Sequence, residues 1–322
     1  MRIVHMKRAP LALAAALSLL GLAACGSSTD EPGDAGGSGD RVEVTAAFYP
    51  LQWATEKVGG EHVAVDSLTK PGAEPHDLEL TPKDVAQLAS ADLVVYLKGF
   101  QPAVDDAVAS EAEDAGFDVS ADADLDLTAT EDGHDHSGES AEEHAEHGTG
   151  KDPHFWLDPV RFEKVATAIG EKLATADPAN AADYRANATA LVSELGALDA
   201  EFEKGLASCT STDLVTGHAA FGYLAQRYGL SQEGIAGLSP DAEPDAASLR
   251  DLAAHVEEHG VKTVYAETLV SPALAETLAR ETGATVAVLD PIEGITDTSR
   301  GSDYLEVMRS NLETLRRGQQ CR

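Results

Sequence analysis

Three histidines stand where side chains from distant parts of a chain can converge. They are His76 in KPGAEPHDLEL (70–80), His154 in KDPHFWLDP (151–159) and His218 in LVTGHAAFGYLAQRYGL (214–230). Each lies at a strand-to-helix junction or in a loop beside one. In open α/β sheets ligands bind beyond the carboxyl ends of the strands, so these positions can aim imidazoles at one point, and the chemistry open to clustered imidazoles is metal capture. Taken singly, a histidine after proline equally suits a surface turn. His218 could simply begin a helix, although the positive helix end disfavours its cation. Only three cysteines are present, so a disulfide-dense scaffold and a multi-zinc ribbon are excluded, and any metal must be held by histidine and carboxylate.

Two further groups carry donor atoms. Residues 118–150 contain eleven acids, no Lys or Arg, and His134, His136, His144 and His147. Such a composition predicts a disordered loop with no core of its own, and four of the eleven histidines within fourteen residues points to weak, multi-site capture of zinc in preference to calcium or magnesium. His255, Glu258 and His259 spell H-x-x-E-H, the pattern of an inverted zincin protease in which two histidines bind zinc and the glutamate is the base. The same residues end a helix before Gly260, where histidines favour the helix dipole. The protease is therefore kept only as a remote alternative.

The elements that must position these residues alternate between strand and helix, twice. VEVTAAF (42–48), HVAVDSL (62–68) and DLVVYL (92–97) are β-rich runs separated by helical stretches such as 51–59 and 82–90, which predicts a parallel lobe. DLVT (213–216), KTVYA (262–266) and ATVAVL (284–289) repeat the pattern, with helices near 219–229, 245–259, 272–282 and 302–317. Between the sets, Pro178 opens a helix whose Tyr184, Ala188, Leu191, Leu195, Leu198, Phe202 and Leu206 form one apolar stripe at steps of four and three, about 39 Å long over 181–206. The expected fold is α/β: two lobes, each a mostly parallel sheet flanked by helices, joined by one long rigid helix that permits only a small closure. The expected boundaries are 41–177 for the N-terminal lobe with its acidic His-rich loop 118–150, 178–208 for the linking helix and 209–322 for the C-terminal lobe.

Residues 1–24 read as a signal peptide, with Arg2, Lys7 and Arg8 before the apolar run LALAAALSLLGLAA (11–24). Fourteen helical residues would span about 21 Å, short of the ~30 Å hydrocarbon core. Leu22, Ala23, Ala24 and Cys25 resemble the lipobox of bacterial lipoproteins, which implies lipidation of Cys25 and makes 25–40 a lipidated cysteine with a flexible tether. The expected location is extracytoplasmic, lipid-anchored to the bacterial cell membrane. A formal net charge of −33 excludes nucleic acid as a partner.

The phrases around His76, HFWLDP, GHAAFGYLA and LDPIEG (289–294), in that order from about residue 42 to the C-terminus, resemble the metal-binding motifs of the solute-binding lipoproteins of zinc and manganese ABC importers, the ZnuA/TroA-like family. The resemblance implies no catalysis and a monomeric receptor that hands Zn2+ to a membrane permease with its cytoplasmic ATPase. It implies His76 and His154 as ligands from the N-terminal lobe and His218 and Glu293 from the C-terminal lobe, with Glu293 the weakest carry-over because some zinc relatives use water or a loop residue there. Asp290 and Glu267 are possible supports for the ligands. Three imidazoles and one carboxylate would fill a tetrahedral zinc shell, and manganese relatives carry a carboxylate where His218 stands, so Zn2+ is favoured over Mn2+. A manganese receptor and a metal-binding surface adhesin are the alternatives. Zinc-type relatives also tie together the regions of Cys209 and Cys321, and an exported chain oxidises such a pair, so a disulfide is expected.

Overall fold

A computed structural model describes residues 41–128, 150–242 and 244–322. The signal peptide, Cys25, its tether, and His134, His136, His144 and His147 lie outside the described residues. In the first lobe, β1 (Val42–Ala46), β2 (Val63–Ser67), β3 (Leu93–Tyr96) and β4 (Gly116–Asp118) form a parallel sheet in the order β2-β1-β3-β4. Helices α1 (Tyr49–Gly59), α2 (Pro82–Ser90), α3 (Pro102–Glu111) and α4 (Pro159–Ala176) accompany it. Proline at the start of a helix loses no intrahelical hydrogen bond, and side-chain caps satisfy the free amides. Thr81 and Asp84 cap α2 reciprocally around Pro82, and Asp158 caps α4 before Pro159.

The chain then enters α5 (Ala181–Leu206) through a short 3-10 turn at Pro178–Asn180. All seven residues of the expected apolar stripe are buried. Beyond it, β5 (Asp213–Thr216), β6 (Ser231–Gly234), β7 (Thr263–Ala266) and β8 (Thr285–Val288) repeat the parallel arrangement in the order β6-β5-β7-β8. Helices α6 (Gly222–Tyr228), α7 (Ala246–His259), α8 (Ala273–Thr282) and α9 (Tyr304–Gly318) complete the second lobe. Both sheets reverse strand order beside their first strand, which opens a crevice at the carboxyl edge.

The lobes share their interior. One continuous apolar cluster contains Val44 and Leu93 of the first sheet, Leu191, Leu198 and Phe202 of α5, and Leu214, Tyr265 and Leu289 of the second lobe. The long helix is thus a spine packed on α1, α4 and α9. Trp156 Nε1 donates to Pro291 O (2.8 Å) and Tyr304 OH donates to Trp156 O, which joins the lobes by buried hydrogen bonds. Cys209, just past α5, is disulfide-bonded to Cys321, just past α9. Among the described residues no helix is long and apolar enough to cross a membrane.

The acidic stretch begins later than its composition predicts. Asp118 closes β4, Val119 and Ala123 are fully buried, and Thr128 bridges to Lys151. Leu125 and Leu127 also pack on the core. A composition averaged over the 33 residues of 118–150, eleven of them acidic, conceals apolar side chains interspersed with acids in its first ten, enough to hold this part against the lobe.

Candidate metal centre

All four ligand candidates follow strands at the carboxyl edges. His76 lies in the loop between β2 and α2, where Gln101, itself buried, donates to Pro75 O (3.0 Å) and Thr69 Oγ1 (3.1 Å) and so fixes the turn. Glu74 accepts from His76 N (3.1 Å), and burial pushes the Glu74 carboxyl up to about 7. The His76 ring stands edge-on to Phe100, with centroids 4.7 Å apart.

His154 follows the acidic segment, and a single oxygen, Asp152 Oδ1, accepts from both its backbone N (2.9 Å) and its Nδ1 (2.8 Å). His218 follows β5. Glu267, just past β7, accepts from His218 N at Oε1 (2.6 Å) and from Nδ1 at Oε2 (2.5 Å). A Cβ at position 217 would meet Glu267 Oε1 at 2.5 Å, so glycine is what lets the carboxylate come this close. A carboxylate can only accept. Each ring is therefore held with Nδ1 protonated and, when neutral, presents the Nε2 lone pair inward.

Glu293 follows β8 on a constrained loop. Ile292 has φ +58°, a left-handed conformation unfavourable for a β-branched residue, and its N donates to Asp290 Oδ1 (2.8 Å). Asn311 clamps the backbone of Asp290 from both sides, at 3.0 and 2.7 Å. Asp290 thus shapes the loop and touches no ligand imidazole, whereas Glu267 directly orients His218. Asp152 was not foreseen, although its Asp-Pro-His spacing, which lets the carboxylate fold back on the ring, was the available signal.

The four side chains meet at one point. Glu293 Oε1 lies 3.0 Å from His76 Nε2, 3.2 Å from His154 Nε2 and 3.4 Å from His218 Nε2. His154 Nε2 lies 3.4 Å from both His76 Nε2 and His218 Nε2. A tetrahedral zinc shell with bonds of about 2.0–2.1 Å has edges of roughly 3.3 Å, so these spacings are those of donors around one such ion. His154 and His218 are fully buried and Glu293 is 1% exposed, while the His76 side chain keeps 9%.

Electrostatics favour a cation. Burial opposes ionisation of Glu293, but the His218 charge and hydrogen bonds from the three rings hold it well below the usual carboxylate range. Burial also opposes charge on His218, yet Glu267 and Glu293 outweigh it and raise the ring well above its ordinary value. For His154 burial is likewise outweighed, by Asp152 and Glu293. His76 is lowered, chiefly by burial. His154 and His218 thus hold their protons more firmly than free imidazoles, and a dication binding among these side chains would have to displace them.

Glu267→Gln keeps the side-chain volume but removes the charge that orients His218. The expected result, read by calorimetric titration, is a fall of about 10–100-fold in zinc affinity. Unchanged affinity would mean that Glu267 serves packing alone.

His255, Glu258 and His259 are not part of this centre. The two histidines gather with Asp213 at the far end of α7, and Glu258 is not among those donors.

Fold and site together define a two-lobed α/β protein of the solute-binding type, with four buried or nearly buried metal-type donors gathered within 4.8 Å of one another between its lobes. The family model described as "Zinc-uptake complex component A periplasmic" matches residues 44–318, and the chain belongs to that family. The zinc-binding protein AdcA of Streptococcus pyogenes serotype M3 is 38% identical over 287 residues, 86% of this chain and 56% of AdcA. The chain thus spans little more than half of that relative. The high-affinity zinc uptake system protein ZnuA of Bacillus subtilis is 37% identical over 305 residues, 92% of each chain. Among solved structures, the laminin-binding protein Lmb of Streptococcus agalactiae, described as bifunctional with adhesin and metal-transporting activity, superimposes with a TM-score of 0.75 at 32% identity, covering 86% of this chain and 99% of that one.

Proposed function

We propose that the protein is an extracytoplasmic receptor that binds Zn2+ through His76, His154, His218 and Glu293 and delivers it to the permease of an ABC-type importer. The observation that carries this reading is the convergence of three Nε2 atoms and one carboxylate oxygen at 3.0–3.4 Å, away from solvent. Four protein donors fill a tetrahedral shell and leave no position for a reactive water, so the site suits binding, not hydrolysis. Manganese prefers more oxygen and higher coordination, which this donor set does not offer. In the same proposal Cys25 is the lipid anchor, the receptor acts as a monomer, and His134, His136, His144 and His147 raise the local zinc concentration.

Proton competition tests the reading. A histidine whose pKa is raised in the empty site keeps its proton above pH 6.5, and zinc must expel it. Affinity should therefore already decline as pH falls through the raised His218 value, and steepen below about 6.5 as further rings compete for protons. Each displaced proton contributes about tenfold per pH unit. Competition with a chelating dye from pH 8 to 5.5 measures the slope, and a flat profile would refute histidine ligation.

A further inference from the structure

We propose that Asp213, His255 and His259 form a second site for a first-row divalent transition cation, on the outer end of the C-terminal lobe. The sequence HVEEH places the two histidines one helical turn apart. Their rings stack with centroids 4.1 Å apart and planes inclined by 23°. The helix stops immediately afterwards because Gly260 takes φ +65° and its N–H closes onto the last carbonyls. That stop brings the final turn of α7 against Asp213, the first residue of β5.

Asp213 Oδ1 lies 3.4 Å from His259 Nδ1 and 3.7 Å from His255 Nε2. The three donor atoms all lie within 4.8 Å of one another. No hydrogen bond joins Asp213 Oδ1 to either ring, and His255 Nε2 is buried without a hydrogen-bond partner. Buried polar nitrogens are rarely left unsatisfied, and each exception calls for a missing partner. A cation shared with Asp213 and His259 supplies one, because donors around a single ion stand at about these separations.

Two imidazoles and one carboxylate select zinc, nickel or copper over calcium and magnesium, whose shells are built from oxygen. The His259 side chain is 45% exposed, so water completes the shell and the ion exchanges with solvent. This site is therefore weaker than the enclosed centre. It is also separate from it: the five residues from Asp213 to His218 span roughly 16 Å at strand rise, too far to share an ion. The competing explanation is a histidine pair that merely interacts with the helix dipole and the Asp213 charge. Under that explanation zinc changes nothing locally.

A cation here would staple the last turn of α7 to the start of β5 and suppress local opening. The test is peptide-resolved hydrogen exchange on the full chain, first with one equivalent of zinc to fill the tighter centre, then with zinc chloride up to about 1 mM. Exchange in residues 256–262 should slow roughly tenfold once free zinc reaches ten times the dissociation constant of this site. The slowing should vanish in the double variant His255→Gln with His259→Gln while binding of the first equivalent is retained. The proposal is overturned if the turn exchanges at one rate across the titration. It is equally overturned if the slowing persists in the double variant, or if magnesium at the same concentration reproduces it.

Discussion

Zinc at a thousand times its dissociation constant will raise the melting temperature by about 8–16 °C, and replacing His154 or His218 with alanine will abolish the rise. A ligand bound only by the folded state stabilises it by about 4 kcal/mol at that excess, and a chain of this size gains about 2–4 °C per kcal/mol. The comparison must be made with and without zinc within each variant. Removing the His218 ring also strands the buried Glu267 carboxylate, and breaking a buried pair costs about 3–5 kcal/mol by itself. His76→Ala should lose most of the rise as well. His255→Ala with His259→Ala should keep it, because a solvent-exposed site is empty at zinc levels that saturate the enclosed one. If all three alanine variants retain the full zinc-dependent rise, the ion is held elsewhere.

Reducing the Cys209–Cys321 disulfide, or replacing both cysteines with serine, is expected to lower the melting temperature by about 10–20 °C. The bond spans 112 residues of sequence, and in the chain-entropy model closing a loop of that length stabilises by about 5 kcal/mol, at about 2–4 °C per kcal/mol. The bond ties the end of α5 to the end of α9, whose Asn311 clamps the backbone of Asp290 and whose Tyr304 reaches Trp156. Calorimetry with and without reductant reads the loss, and intact mass before and after reduction checks the pairing. A change of only a degree or two would show that the unfolded chain is already held compact by other means.

What could be read from the sequence follows the strength of local signals. VEVTA, TVYA and the stripe of α5 carry β-branched or helical periodicity, and their elements appear with bounds within three residues of expectation. GFD at β4 and SQEG at β6 lack that periodicity. Both are edge strands, β4 beside β3 and β6 beside β5, formed because a neighbour offers hydrogen-bonding groups and not because their own side chains demand it. The meeting of His76 with Glu293 joins positions 217 residues apart, beyond any periodicity, and only the family resemblance placed them together. The clamp around Asp290 and the return of Asp152 onto its own histidine depend on backbone direction in loops, which composition does not encode.

The common interior of the two lobes bears on how an ion held at the proposed site would leave it. Because α5 and the Trp156 and Tyr304 hydrogen bonds join the halves, the residence time of an ion bound at the proposed site would be set by a local event and not by a hinge. All four proposed ligands lie in loops, but His76 alone keeps more than a trace of exposure, 9% of its side chain against 0–1% for the others. If the protein is the receptor proposed above, off-loading would amount to the peeling of one strap from an otherwise rigid vault, and a docking partner would need only to grasp that strap to hasten it.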